Sequence, residues 1–331
     1  MPGEDTLNSS LDSRASQSSD SDEYRLRHVG AIDIGTNSTH LLVASIDPSL
    51  HTFSIEIAEK STTRLGERDL ESGELTDFAM SRVFEALKRY KELAESFQVE
   101  QLLIAATSAV REAPNGISFL NQVKAQLGLE IELVSGAEEA RLIYLGVLSG
   151  MLFGDNPHIL VDIGGGSTEM ILADSRDARA LTSTRVGAVR LQRDFIQNEP
   201  ISVKRTEFLK TFIEGSLEPA VNKISRRLMP EEKPLMVATS GTAMAIGSLI
   251  ASEEMKIPKK LHGYRITRAK LDSLVQKLLN MTLEQRKKLP PLNERRAEII
   301  VPGALILQKT MQMFQVDDLV LSERALRQGL I

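Results

Sequence analysis

The sequence predicts an α/β protein made of two related halves, and three observations carry that reading. His158 to Ala173, HILVDIGGGSTEMILA, sets two apolar runs on either side of three glycines and reads as strand, tight turn, strand. The same pattern stands earlier as AIDIGTNSTHLLVA from Ala31 to Ala44, which aligns Asp33 with Asp162, Gly35 with Gly164, Ser38 with Ser167 and Thr39 with Thr168, an offset of 129 from Asp33 to Asp162. A second pair, LIAATSA from Leu103 and LMVATSG from Leu235, repeats at nearly that spacing, 132 from Ala106 to Ala238. Two elements recurring in the same order mark an internal duplication.

Residues 1–26 are serine-rich and acidic with no apolar run, so they are expected to be a disordered tail rather than a signal peptide. Residues 27–142 then form the first unit and 143–331 the second, with a C-terminal helix that returns to the first. Arg27 to Asp47 reads as the first hairpin and Thr52 to Lys60 as a third strand, followed by a polar loop from Thr63. Asp77 to Phe97 is an amphipathic helix whose stripe of Val83, Leu87, Tyr90 and Phe97 belongs to the core. Gln101 to Ala106 is a buried strand, Thr107 turns into a helix, and Leu129 to Val134 is a further strand. From Ser135 a helix begins, with Ser135 and Glu138 spaced as a capping box. After the central hairpin, Ala180 to Arg185 reads as strand, Gly187 opens a helix, Val203 to Leu228 is helix and Leu235 to Thr239 is strand. Thr267 to Met281 and Asn293 to Met313 are helices, Asp318 to Ser322 is a last strand, and Glu323 to Leu330 a short helix.

Composition narrows the function. A content of 42% hydrophobic and 26% charged residues over 331 is that of a globular chain, and no apolar run is long enough to span a membrane. The absence of cysteine removes disulfides, thiolate nucleophiles and thiolate-bound zinc and suits a reducing cytoplasm, the expected location. With no tryptophan and 4% aromatics, a base-stacking nucleic-acid surface is not expected. A net charge of −5 means that any anionic substrate is gathered locally; Lys259 with Lys260, Arg265 with Arg268, and Arg295 with Arg296 are the candidate basic pairs.

The glycine turn suggests a phosphate site. Gly164, Gly165 and Gly166 let a ligand approach the backbone, and Ser167 and Thr168 add hydroxyl donors. Asp162 and Glu169 bracket the turn with carboxylates that would repel a polyanion unless a hard divalent cation lay between. Gly35, Thr36, Asn37 and Ser38 form the duplicate turn, so that two halves facing each other would pinch one phosphate. Arg111, near the start of its helix, suits a bidentate clamp on phosphate oxygens, with a surface pair to Glu112 as the competing use. Arg64, just past a strand leaving the first hairpin, is placed to reach the same site, and Gly241 with Thr242 opens a helix as an anion-binding start would. On the Ser135 helix, Glu139 shares the apolar face with Leu142, Ile143 and Gly146; an inward carboxylate is costly unless it is paired, metal-bound or used, which singles Glu139 out over Glu138.

Taken in order, DIGTNSTHLLVA, TTRLGERDLESGELT, ATSAVREA, VSGAEEARLIYLGV, VDIGGGSTEM, RVGAVRL, ATSGTAMA, RRAEIIVPGALIL and LSERALRQGL resemble the exopolyphosphatase and guanosine pentaphosphate phosphatase family from about Val29 to the C-terminus. The resemblance implies an actin-like, ribonuclease H-like fold and removal of a terminal phosphate from inorganic polyphosphate, or of the γ-phosphate from guanosine pentaphosphate, with magnesium (or manganese). It implies Glu139 and Arg111 as catalytic, Asp162 and Glu169 as metal carboxylates, and the two turns as the phosphate loops. Thr36 stands where the family often has serine. Longer members carry a further C-terminal region absent here, which bears on how long a polyphosphate chain is held. The family often forms homodimers. A kinase of the same fold would use an aspartate base rather than Glu139, and a non-catalytic nucleotide-dependent chaperone or filament protein would need tight adenine-nucleotide binding.

Overall fold

Two mixed sheets with one shared strand order form the frame of the protein, seen in a computed structural model that describes residues 26–50, 52–154, 156–254 and 260–331. The N-terminal tail before Leu26 and Lys259 lie outside the described residues. The first half runs β1 (Arg27–Ile34), β2 (Thr39–Asp47), β3 (Thr52–Ser61), α1 (Asp77–Ser96), β4 (Gln101–Ala106), α2 (Ser108–Arg111), α3 (Gly116–Leu127) and β5 (Glu132–Leu133). After α4 (Gly136–Leu148) the second half runs β6 (His158–Ile163), β7 (Thr168–Ala173), β8 (Ala178–Thr184), α5 (Ala188–Phe195), α6 (Val203–Ser225), β9 (Leu235–Thr239) and α7 (Ser240–Glu253). It closes with β10 (Arg265–Thr267), α8 (Arg268–Leu279), α9 (Leu283–Lys287), α10 (Glu294–Met313), β11 (Asp318–Leu321) and α11 (Leu326–Leu330).

The duplication read from the sequence is a structural one. The first sheet has the order β3-β2-β1-β4-β5, and β8-β7-β6-β9-β11 repeats it in the second, with β10 added at the edge. In both, the hairpin pairs are antiparallel and the next two neighbours parallel. This doubled frame is the actin-like fold that the resemblance implies. The hairpin runs are apolar without alternation because both of their faces are covered, and β7 is buried at every position. Core packing follows the halves: Ile32, Ile34, Leu41 and Val43 pack with α1 and α3, while Ile159, Val161 and Met170 pack with α6, α7 and α10.

The two helices that end each half cross over. Leu142, Ile143 and Val147 of α4 pack on Leu160, Ile171 and Val237 of the second sheet, together with Leu326 of α11. The terminal helix α11 in turn touches β1 and β2 of the first sheet. Helix α4 runs unbroken through residues 142–143, where the sequence reading divides the chain.

Several elements differ from the sequence reading. The strand expected over Leu129 to Val134 pairs only through Glu132 and Leu133. The helix after Thr107 is broken in two, since Pro114 disfavours helical backbone at Ala113. Strand β10 and helix α9, three and five residues long, are too short to leave a periodic signal. The last helix starts at Leu326 rather than Glu323, because the carbonyls of Ser322 and Arg324 accept from the buried Thr239 hydroxyl, both at 3.0 Å. The Ser135 hydroxyl caps α4 as expected, yet Glu138 does not complete the box; its carboxylate takes Arg141 at 2.8 and 2.7 Å.

Candidate active site

Both hairpins end in the same turn. Gly35 N–H donates to Ser38 O at 3.1 Å, and Gly164 N–H donates to Ser167 O at 2.9 Å. In each case a later segment ties up the carbonyls. Arg64 and Gly66 donate to Asn37 O and Thr36 O at 3.0 and 2.8 Å, while Ala188 and Val189 at the start of α5 donate to Gly164 O and Gly165 O at 3.0 and 2.9 Å. The N–H groups of Thr36, Asn37, Gly165 and Gly166 are left with no backbone carbonyl partner among the described residues. Such free amides, fixed by the chain behind them, suit a phosphate. The turns face each other across a cleft of about 260 Å³.

Acids line this cleft. Asp33 and Asp162, at matching positions of the two hairpins, line it, as does Glu139 near the start of α4. Burial pushes Asp33 up to about 6 against the pull of Arg327. Burial, with Glu139 and Asp33 nearby, pushes Asp162 up to about 8. Glu139 lies well above the usual carboxylate range, again through burial first and then the charge of Glu169, with Arg111 opposing. Glu169 is raised by burial and Asp162 and held down by the hydroxyls of Ser183 and Ser167. Asp33 Oδ1 is buried with no hydrogen-bond partner. Hard carboxylate oxygens, short of positive charge and beside free phosphate donors, fit a divalent cation of the magnesium type. Among the described residues no three metal-ligating side chains close a protein cage. An ion that keeps waters and shares substrate oxygens needs only one or two carboxylates.

Basic side chains line the same cleft. Arg296 of α10, Arg327 of α11 and His40 of β2 line the cleft, with Lys60 of β3 across from His40. Burial and the neighbouring Arg296 and Arg327 bring Lys60 down to about 8. His40 is held well below its usual value by burial and then by Arg327, Lys60 and Arg296. His40 pairs with Asp33 in the first hairpin where Glu169 pairs with Asp162 in the second. The duplication thus carries a histidine in one half where the other half carries an acid.

Not every residue singled out in the sequence meets the cleft. Gly35, Thr36, Asn37, Ser38, Gly164, Gly165, Ser167, Asp162, Glu139, Gly241 and Thr242 line it. Arg111 does not; its guanidinium donates to Val134 O at 2.8 Å and to Glu139 Oε2 at 3.1 Å, so it holds the acid instead of reaching for phosphate. Arg64 is also outside the lining, paired with Glu298 of α10 at 2.9 Å. Its backbone serves the site, holding Asn37 O from a left-handed conformation at φ 49°. Glu169 sits behind the wall, accepting from Ser183 at 2.7 Å. Thr168 is no phosphate donor here, since its hydroxyl donates to Val186 O at 2.5 Å. Gly166 faces a separate, smaller cavity. The N–H groups of Thr242 and Ala243 are taken by Ser240 Oγ at 3.2 and 3.3 Å, which spends the expected anion-binding helix start internally. Gly241 instead makes room for Arg296, whose Nη1 donates to Thr242 Oγ1 at 3.4 Å.

Of the basic pairs, Arg265 and Arg268 are spent on Asp318 and Asp317, and Arg295 on Thr62 O, leaving Arg296 as the one that lines the cleft. Asp33 and His40 were within reach of the sequence, since the duplication already aligns them with Asp162 and Glu169. Arg327 had no local signal; only the return of α11 to the first sheet brings it in.

Comparison with known proteins fits this geometry. The chain is 29% identical over 316 residues to exopolyphosphatase 2 of Mycobacterium tuberculosis, covering 92% of this chain and 98% of that protein. It is 29% identical over 304 residues to exopolyphosphatase 1 of Mycobacterium leprae, covering 92% and 88%. The solved Ppx/GppA protein of Aquifex aeolicus superposes with a TM-score of 0.76 at 29% identity, covering 92% and 96%. An exopolyphosphatase structure from Cytophaga hutchinsonii shares the fold, with a TM-score of 0.84 at 24% identity, covering 92% and 96%. The profile of the Ppx/GppA phosphatase family matches residues 42–331, and the chain belongs to that family.

Proposed function

We propose that this chain is an exopolyphosphatase, which splits the terminal phosphoanhydride bond of inorganic polyphosphate with magnesium (or manganese) as cofactor. The observation that carries the reading is the make-up of the cleft: free turn amides, buried carboxylates and the guanidiniums of Arg296 and Arg327 line one space. The terminal phosphate sits between the turns, and the anionic chain behind it runs toward Arg296, Arg327 and Lys60. Asp162 and Asp33, with Glu169 close behind, would hold the metal. When bound, it offsets the charge of the phosphate oxygens. Glu139, held well above the usual carboxylate range by burial and anchored by Arg111, orients the attacking water and accepts its proton. The turn amides hold the transferring group as its charge redistributes.

The lining favours an inorganic substrate over guanosine pentaphosphate, for among the described residues no Phe, Tyr or Trp borders the cleft to stack a guanine. A kinase reading calls for an aspartate base, whereas the acid that α4 brings to the cleft is Glu139. The test is phosphate release from tripolyphosphate, long polyphosphate and guanosine pentaphosphate, each with and without a chelator. Magnesium-dependent release from the inorganic chains is expected; release from the nucleotide alone, or release indifferent to chelation, would overturn the reading.

A further inference from the structure

A second, much smaller cavity of about 20 Å³ lies behind the two turns. Thr36, Ser108 and Gly165 line both this cavity and the cleft. The partition is one side chain thick. The buried hydroxyls of Thr36 and Ser108 stand 3.0 Å apart against glycine backbone. A Cβ placed on Gly166 would come within 2.6 Å of Ser108 Oγ, and one on Gly165 within 2.9 Å of Thr36 Cβ. Nothing larger than glycine fits there, so the wall between the chambers is as thin as a polypeptide can make it.

Three guanidiniums, from Arg68, Arg190 and Arg193, line the outer chamber. Arg68 is committed to Ala109 O and Glu112 O at 2.8 and 2.9 Å. Arg190 donates to Gly166 O at 3.2 Å and pairs with Glu112, a contact that joins the two halves of the molecule. Glu112 also receives the exposed Arg185 at 3.8 Å, and among the described residues Arg193 pairs with its neighbour Asp194, at 2.6 Å. Positive charge therefore exceeds negative charge at this mouth, in a chain of net charge −5.

From these features we infer that the outer chamber is a second anion site and the exit for product orthophosphate; the inference rests on the function proposed above. A phosphate cut from the chain end lies between the turns, with the shortened chain still filling the cleft in front of it. It can leave forward only after the chain dissociates. Through the thin partition it leaves while the chain stays. At about 20 Å³ the chamber has room for no more than about one water. Passage requires the Thr36–Ser108 bridge to part and Arg190 to exchange Glu112 for phosphate oxygens, an exchange between two anions that guanidinium geometry accepts equally.

The test is calorimetric binding of inorganic phosphate to the full chain saturated with an imido-bridged, non-hydrolysable tripolyphosphate analogue, with Arg193→Glu as the variant. Arg193 lies outside the cleft lining, and an unchanged unfolding midpoint checks that the variant is intact. Phosphate should still bind with the cleft filled. Arg193→Glu should weaken phosphate at least tenfold and leave the analogue within twofold. No phosphate binding to the saturated protein overturns the exit. Equal weakening of phosphate and analogue overturns it too, since the chain itself would then thread the chamber. These measurements need no turnover, so a chain that binds phosphate as expected yet hydrolyses no polyphosphate loses the proposed function and keeps the anion site.

Discussion

Glu139 owes its properties to what surrounds it more than to its type. A carboxylate buried on the inner face of α4 among Glu169 and Asp33 is poised to take a proton, and the single guanidinium of Arg111 keeps it aimed. The same crowding opposes folding at high pH. Asp33 and Asp162 keep protons up to about 6 and about 8, whereas in the unfolded chain both release them near 3.8. The folded state therefore binds more protons across that window, and stability is lost as pH rises through it. His40 acts in the opposite sense only below its ordinary value of 6.5, and Lys60 only above about 8. Between pH 6.5 and 8 the acids act alone. The metal-free protein should lose stability over this interval, by about 1.4 kcal/mol per pH unit for each extra proton bound, and magnesium should restore it. Glu139→Gln should flatten the fall while cutting turnover roughly 10²- to 10⁴-fold, the usual worth of a positioned base. Thermal unfolding and phosphate release on the two proteins check both halves. A stability that rises from pH 6.5 to 8 would mean the acids are already neutralised by protein groups.

At the scale of elements, the turns work because something else holds their carbonyls. The start of α5 does so for the second turn, and the contact is close: a Cβ on Gly187 would strike the backbone of Gly165 and Gly166. Gly187→Val should displace that turn, raise KM for polyphosphate at least tenfold and lower the unfolding midpoint. A variant with normal KM would show that the turn's position does not depend on α5. This arrangement also explains what was legible beforehand. The hairpins, the long helices and the duplication were readable because apolar period and glycine spacing are local. The turn residues followed from the same pattern, and so did Glu139, an acid on an apolar stripe. The fates of Thr168, Arg64 and Arg111 were not readable. Each carries the right chemistry at the right distance from the site, but its polar groups are claimed by Val186 O, Glu298 and Glu139, partners 18, 234 and 28 residues away. Sequence adjacency says nothing about such competition. The arginines of the cleft were hidden for the same reason, since Arg296 and Arg327 come from helices that only the closed fold brings to it.

At the scale of the molecule, the two halves are joined by ion pairs and by an exchange of helices. Arg64–Glu298 and Glu112–Arg190 cross between them on separate surfaces. Helix α4, which carries Glu139, packs on the second sheet, and α11, which carries Arg327, returns to the first. Where they cross, a Cβ on Gly146 would run into Ala325 O, and one on Gly329 into Leu142 O. The backbones touch, with nothing but glycine between them. That crossing sets the distance between Glu139 and Arg327, because each lies on one of the two helices. Gly329→Leu forces the helices apart without altering any residue that lines the cleft. The change should cost stability by about 1–3 kcal/mol, the usual range for overpacking a tight contact. It should lower kcat more than it raises KM, since Glu139 moves relative to the phosphate while the turns stay in place. Denaturant unfolding and steady-state kinetics on the variant decide the matter. Wild-type kcat in a measurably destabilised protein would show that the helix crossing holds the fold together without setting the geometry of the reaction.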